Sequence, residues 1–161
     1  NQSQVAQLEQ KFVENHALDF RTLDLPVNAV ATALKNFFSA LAEPVIPYAL
    51  YNDLIAATGA EEHKLGAIRR VLDRLPAENR QVLRYLIGHM RHVADNAHLT
   101  AMDLRNLAKC WWPTLLRPHF DSFESMAGLT PRLEEFAQLL LQNSDLLLSG
   151  SVVEQRSGDR K

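Results

Sequence analysis

Apolar residues in this chain recur at spacings of three and four, and alternation at spacing two is nearly absent. That period confines the chain to helices, because side chains return to one face every three or four residues on a helix and every second residue on a strand. Val5, Leu8 and Phe12 mark a helix over about residues 3–14, closing near Asn15. Pro26 opens a second over about 26–41, with Val27, Val30, Leu34, Phe37, Phe38 and Leu41 as its apolar stripe. A proline in the first turn forfeits no helical hydrogen bond. Glu43-Pro44 and Ile46-Pro47 break that helix. A short helix follows over Tyr48 to Ala57, and another carries Leu65, Ile68, Val71, Leu72 and Leu75. Pro76 restarts the chain, and Val82, Leu83, Leu86, Ile87, Met90 and Val93 carry it to about residue 94. Thr100-Ala101-Met102-Asp103 fits a capping box with threonine at the cap. It introduces Leu104, Leu107, Cys110 and Trp111, and Pro113 is expected to end that helix. Thr130-Pro131 reads as a cap followed by a first-turn proline, ahead of Leu133, Phe136, Leu139, Leu140 and Leu147. The expected fold class is an all-α bundle of about seven or more helices.

Composition limits what such a bundle can bind. Seventeen basic and nineteen acidic residues leave a net charge of −2. That balance gives no reason to expect nucleic acid or an anionic membrane as a partner. A single cysteine, Cys110, excludes a disulfide framework and a multi-cysteine zinc site, and it suits a reducing, cytoplasmic setting. The apolar runs are too short to span a bilayer. The opening Asn1-Gln2-Ser3-Gln4 lacks Met and a signal-peptide pattern, so the chain is expected to be a piece of something longer. One domain is expected over residues 1–150, with no repeat and no second domain, and a flexible polar tail over 151–161.

The residues offer little self-contained chemistry. His89, His92 and Asp95 share one face of a helix, but Arg91 is interleaved, and a solvated face is the stronger reading. No GxSxG elbow, phosphate-binding loop, HExxH or EF-hand occurs. Cys110, beside Trp111 and Trp112, is expected to be a buried packing residue, and the tryptophans and phenylalanines are expected to form core. Two residues stand out. Asn106 falls where an apolar pattern calls for a good helix former, which asparagine is not. Lys35 has Ala31 and Ser39 one turn to either side, small neighbours that would leave its amine accessible. A surface amide and a solvated lysine are the plain alternatives. From pattern alone the chain is a helical interaction domain.

Three blocks, in order over about residues 26–118, resemble the signature of the RhoGAP domain, the GTPase-activating module for Rho-family small G proteins. Val30-Ala31-Thr32-Ala33-Leu34-Lys35-Asn36-Phe37-Phe38-Ser39-Ala40-Leu41-Ala42-Glu43-Pro44 is similar to the family's apolar helix ending in Lys-x-Phe-x-Arg-x-Leu-Pro-Glu-Pro. Leu75-Pro76-Ala77-Glu78-Asn79 is similar to its Leu-Pro-x-x-Asn joint. Met102-Asp103-Leu104-Arg105-Asn106-Leu107-Ala108, with Trp112-Pro113-Thr114-Leu115-Leu116-Arg117-Pro118, is similar to its Met-x-x-x-Asn-Leu-Ala-x-x-x-x-Pro-x-Leu pattern. Ser39 replaces the usual arginine and Ala42 the usual first proline. Phe38-Ser39 and the Trp112–Pro118 wording look closest to the large multidomain subgroup with its own GTP-binding and FF domains.

The resemblance implies a module that binds GTP-loaded Rho, Rac or Cdc42-class GTPases and accelerates their hydrolysis by completing the partner's active site. GTP and Mg²⁺ would belong to the partner, and the module would need no cofactor or metal of its own. Lys35 and Asn106 would line the docking face, and Arg105 and Lys109 would add steering charge. The family's catalytic arginine sits in a Gly-hydrophobic-aromatic-Arg-x-x-Gly loop just before the helix that begins here near Asn1. These 161 residues contain no such loop, so no catalytic residue is assigned in this chain, and the loop is expected before Asn1. Two alternatives stay open: a catalytically silent RhoGAP-like module that only binds, and an unrelated helical scaffold.

Overall fold

A computed structural model describes residues 1–149; the tail expected over 151–161 lies outside the described residues. All regular structure among the described residues is helical. The elements are α1 (Gln2–Glu14), a 3₁₀ turn (Phe20–Thr22), α2 (Val27–Ser39), α3 (Tyr48–Thr58), α4 (Lys64–Leu72), α5 (Ala77–Asp95), α6 (Ala97–Thr100), α7 (Leu104–Leu116), α8 (Phe123–Gln142) and α9 (Ser144–Leu147). The all-α class read from the apolar period is the observed one. Asn1–Ala42 forms one compact unit, and a second begins at Glu43.

In the first unit, the Asn1 side chain caps α1 by accepting from the Ser3 backbone and hydroxyl, both at 3.0 Å. Val5 and Leu8 of α1 and Ala29 and Phe38 of α2 are buried. Asn36 of α2 donates to the Glu9 carboxylate of α1 at 3.2 Å. Asp19 starts the 3₁₀ turn by accepting from the Arg21 N–H at 3.0 Å. The Arg21 guanidinium also bonds this carboxylate, which holds Asp19 below the ordinary aspartate range.

In the second unit, the stretch between the proline pairs is a pinned connector. Val45 and Ile46 are buried. The Asn79 amide donates to the Val45 carbonyl at 2.9 Å, which explains the asparagine at the Leu75–Asn79 joint. Glu43 reaches forward to accept from the Tyr48 N–H at 3.0 Å, so the acid before Pro44 caps α3. The Tyr48 hydroxyl donates to the Arg117 carbonyl at 3.0 Å, tying the start of α3 to the end of α7. Leu83, Ile87, Met90, Leu115, Phe136 and Leu140 are fully buried.

Several local expectations are corrected. The cap of α7 is Asp103, whose carboxylate accepts from the Asn106 N–H at 2.8 Å; Thr100 ends α6 instead. Pro113 does not stop α7, which runs on to Leu116 and closes at Arg117 in the left-handed region, φ 43°. Thr130-Pro131 lies inside α8, which starts at Phe123 behind the Ser122 cap. Thr130 bonds back to the Met126 carbonyl at 2.7 Å. A proline frees the carbonyl four residues earlier. Those residues, Lys109 and Ala127, are both exposed, so water can take over. Cys110 is exposed rather than buried, because the helix turns Leu107, Ala108 and Trp111 inward instead. Trp111 is core, but Trp112 is only half-buried. Among the phenylalanines, Phe38 and Phe136 are buried, whereas Phe12, Phe20, Phe37 and Phe123 are exposed.

Candidate functional site

Lys35 lies in the first unit, one turn before the end of α2. It is half-buried, with Ala31 and Ser39 exposed one turn to either side, so the small neighbours stand where the sequence places them. Two residues on, Phe37 is 58% exposed and Phe38 only 5%. This end of α2 therefore presents a half-buried lysine and, on a different face, an aromatic ring that the core does not use.

In the second unit, α7 divides cleanly. Leu107, Ala108, Trp111, Thr114, Leu115 and Leu116 are buried. Arg105, Asn106, Lys109, Cys110 and Pro113 are exposed. Spacings of three and four put Asn106, Lys109, Cys110 and Pro113 in one stripe, with Arg105 beside it. Neither Arg105 nor Lys109 forms an ion pair with the described residues. The stripe thus begins at the positive end of the helix, adds two cations, and carries an amide that can donate and accept at once. Such a face suits acidic side chains and loop backbone. The structure brings Arg105, Asn106 and Lys109 together on one helix, and it places Lys35 on another.

Sequence reading missed two supports. Asp103 holds the first turn of the stripe, and Thr100 anchors the approach to it. The Thr100 hydroxyl donates to the Val93 carbonyl of α5 at 3.0 Å and accepts from the Met102 N–H at 3.2 Å. The available signal was an aspartate three residues before the asparagine, read as the wrong member of the capping pattern.

The histidine cluster is not gathered into a metal site. No group of three or more His, Cys, Asp or Glu side chains among the described residues could hold an ion. His92 and Asp95 instead line an open cleft of about 530 Å³ with Arg84, Arg91, Ser144 and Asp145. Arg91 there donates to the Ser144 hydroxyl at 2.9 Å and pairs with Asp145 at 3.5 Å. Its charge is already answered within the cleft. No helix of the described residues is long and apolar enough to cross a membrane.

Comparison with known proteins converges on one family. The RhoGAP domain model matches residues 1–120. Rho GTPase-activating protein 35 of Rattus norvegicus is 38% identical over 144 residues, covering 88% of this chain and 10% of that protein. Rho GTPase-activating protein 190 of Drosophila melanogaster is 34% identical over 165 residues, covering 93% of this chain and 11% of that protein. The chain therefore spans about a tenth of the length of these curated relatives. The crystal structure of the BH domain from GRAF, the GTPase regulator associated with focal adhesion kinase, superposes with a TM-score of 0.79 at 25% identity, over 91% of this chain and 79% of that one. Human Rho GTPase activating protein 15 superposes with a TM-score of 0.79 at 25% identity, over 91% of this chain and 71% of that one.

Proposed function

Because the chain belongs to the RhoGAP domain family, we propose that it docks on Rho-family small GTPases in their GTP-bound state and serves the acceleration of their hydrolysis. The observation that carries this reading is the exposed Arg105, Asn106 and Lys109 stripe, built on a capped helix and lying within the block that resembles the family signature. Lys35 is the second proposed contact. Arg105 and Lys109 steer an acidic partner surface, and Asn106 bonds loop backbone. The setting is the cytoplasm, with membrane recruitment left to other parts of the parent protein.

The mechanism follows from phosphoryl transfer. The GTPase holds GTP, Mg²⁺ and the group that orients the attacking water, so this chain needs no cofactor. Hydrolysis is slow because charge on the phosphate oxygens is under-neutralised in the transition state. An arginine supplied in trans is worth about 10³–10⁵ in rate. No loop of the family's arginine type occurs among the 161 residues. The same sequence fact favours a second reading, in which the chain binds a GTPase without accelerating it.

The test is a titration against one GTPase loaded with a GTP analogue or with GDP. The γ-phosphate orders switch loops, so the analogue form should bind more tightly. Asn106→Ala should weaken that binding by about 1–3 kcal/mol, one interfacial hydrogen-bonding group. Its thermal stability should stay within about 0.5 kcal/mol, as for an exposed side chain. Equal affinity for both nucleotide states would overturn the reading, and so would a variant that melts earlier yet binds normally.

A further inference from the structure

The docking residues nearest the helix start lie where helices fray. Arg105 and Asn106 are the second and third residues of α7. The first backbone N–H groups of a helix have no internal partner, and an unheld first turn exchanges between helical and open forms. Here that turn is held from both sides. Asp103 accepts from the Asn106 N–H at 2.8 Å with its side chain, and from the Leu107 N–H at 3.0 Å with its carbonyl. Just upstream, Ala101 adopts the left-handed region at φ 56°, and Thr100 locks the bend onto α5 through the Val93 carbonyl. A non-glycine residue in that region persists only where its surroundings over-determine it.

We propose that Asp103 is a positioning residue for GTPase docking: its carboxylate holds the first turn of α7 so that Arg105 and Asn106 meet the partner already ordered. This rests on the docking reading above and adds how the face is kept competent. Without the cap, binding must first order the turn. Each backbone residue so fixed costs about 1–2 kcal/mol, and the apparent affinity scales down in proportion to the fraction of chains still ordered. Asp103 does this through Asn106, without touching the partner.

The experiment compares the full chain with Asp103→Ala, Asp103→Ser, Asp103→Asn and Ser122→Ala. Ser122 caps α8 in the same manner, accepting from the Ser125 N–H at 3.0 Å, and lies on a different helix from the proposed contacts. Affinity for one GTP-analogue-loaded GTPase is measured beside amide exchange at Asn106 and melting temperature. Asp103→Ala should weaken binding about 10-fold, the loss from ordering roughly one residue, and speed Asn106 exchange by a similar factor. Serine and asparagine keep a capping oxygen, so both should restore binding to within about 3-fold. Ser122→Ala should lower the melting temperature comparably while binding normally. Equal weakening by Ser122→Ala would make the effect global destabilisation and overturn the proposal. Failure of both Ser and Asn to rescue would overturn it as well, since the carboxylate would then be a direct contact. If the unaltered chain binds and Asp103→Ala binds as well, positioning fails while docking stands. If the unaltered chain binds no Rho-family GTPase, the docking reading fails and takes this one with it.

Discussion

Asn106 shows how a residue can be singled out for a reason the structure replaces. An asparagine mid-helix competes with the backbone, but Asn106 occupies the first turn, where its N–H is capped by Asp103 and the conflict disappears. What remains notable is its exposure beside two cations. Tyr51 is the opposite case, a residue no sequence pattern marks. Its hydroxyl is buried without a hydrogen-bond partner among the described residues, near Leu54, Thr58, Leu116 and Phe136. Burial pushes its phenol above the ordinary tyrosine value. A raised pKa here means that the folded state favours the neutral form. The associated stability is fully present below pH ~10 and is lost as pH rises through the higher folded value. Tyr51→Phe removes both the unpaired hydroxyl and the titration. It should melt at or slightly above the parent temperature at neutral pH, and decline less than the parent on going to about pH 11. Thermal melts across that range check both, and a loss of stability at neutral pH would show that the hydroxyl has a partner.

Between elements, polar groups at helix ends do the joining. Arg80, 6% exposed, donates from α5 to the Leu72 carbonyl of α4 at 2.9 Å and pairs with Asp73 at 3.7 Å. It shares that carbonyl with the Leu75 N–H, which donates to it at 3.0 Å, so the closing turn of α4 is tied to α5 through one acceptor. Arg80→Ala should cost about 2–3 kcal/mol, a charged hydrogen bond plus the packing of the buried stem. Denaturant unfolding measures it, and GTPase affinity should hold well below the unfolding midpoint; an effect under about 0.5 kcal/mol would place Arg80 among ordinary surface residues. Helix existence was legible for most of these elements, because the apolar period survives any detail of packing. Helix ends were less so. Pro113 and Thr130-Pro131 carry stop and start signals, yet both helices continue. The cost of an interior proline depends on whether the freed carbonyl meets water, and a one-dimensional pattern does not contain that exposure.

At the scale of the whole molecule, the proposed function predicts that docking and chemistry separate. The 161 residues carry the proposed contacts and no loop of the family's arginine type. The chain as it stands should therefore bind a GTP-loaded Rho-family GTPase while adding little to its rate, because the trans arginine acts on charge that is greatest in the transition state. Single-turnover hydrolysis at saturating chain is the measurement, and full stimulation would require a catalytic group from within these residues. The sequence by itself determined the all-α class, the family and Lys35, Arg105, Asn106 and Lys109 as candidates, since period and short motifs are local in the chain. Only the tertiary structure decided which side of α7 faces water, that Cys110 and most phenylalanines lie outside the core, and that Asp103, Asn79 and Arg80 hold the elements in place. Those outcomes depend on which surfaces meet and which hydrogen-bonding groups that meeting leaves to be satisfied.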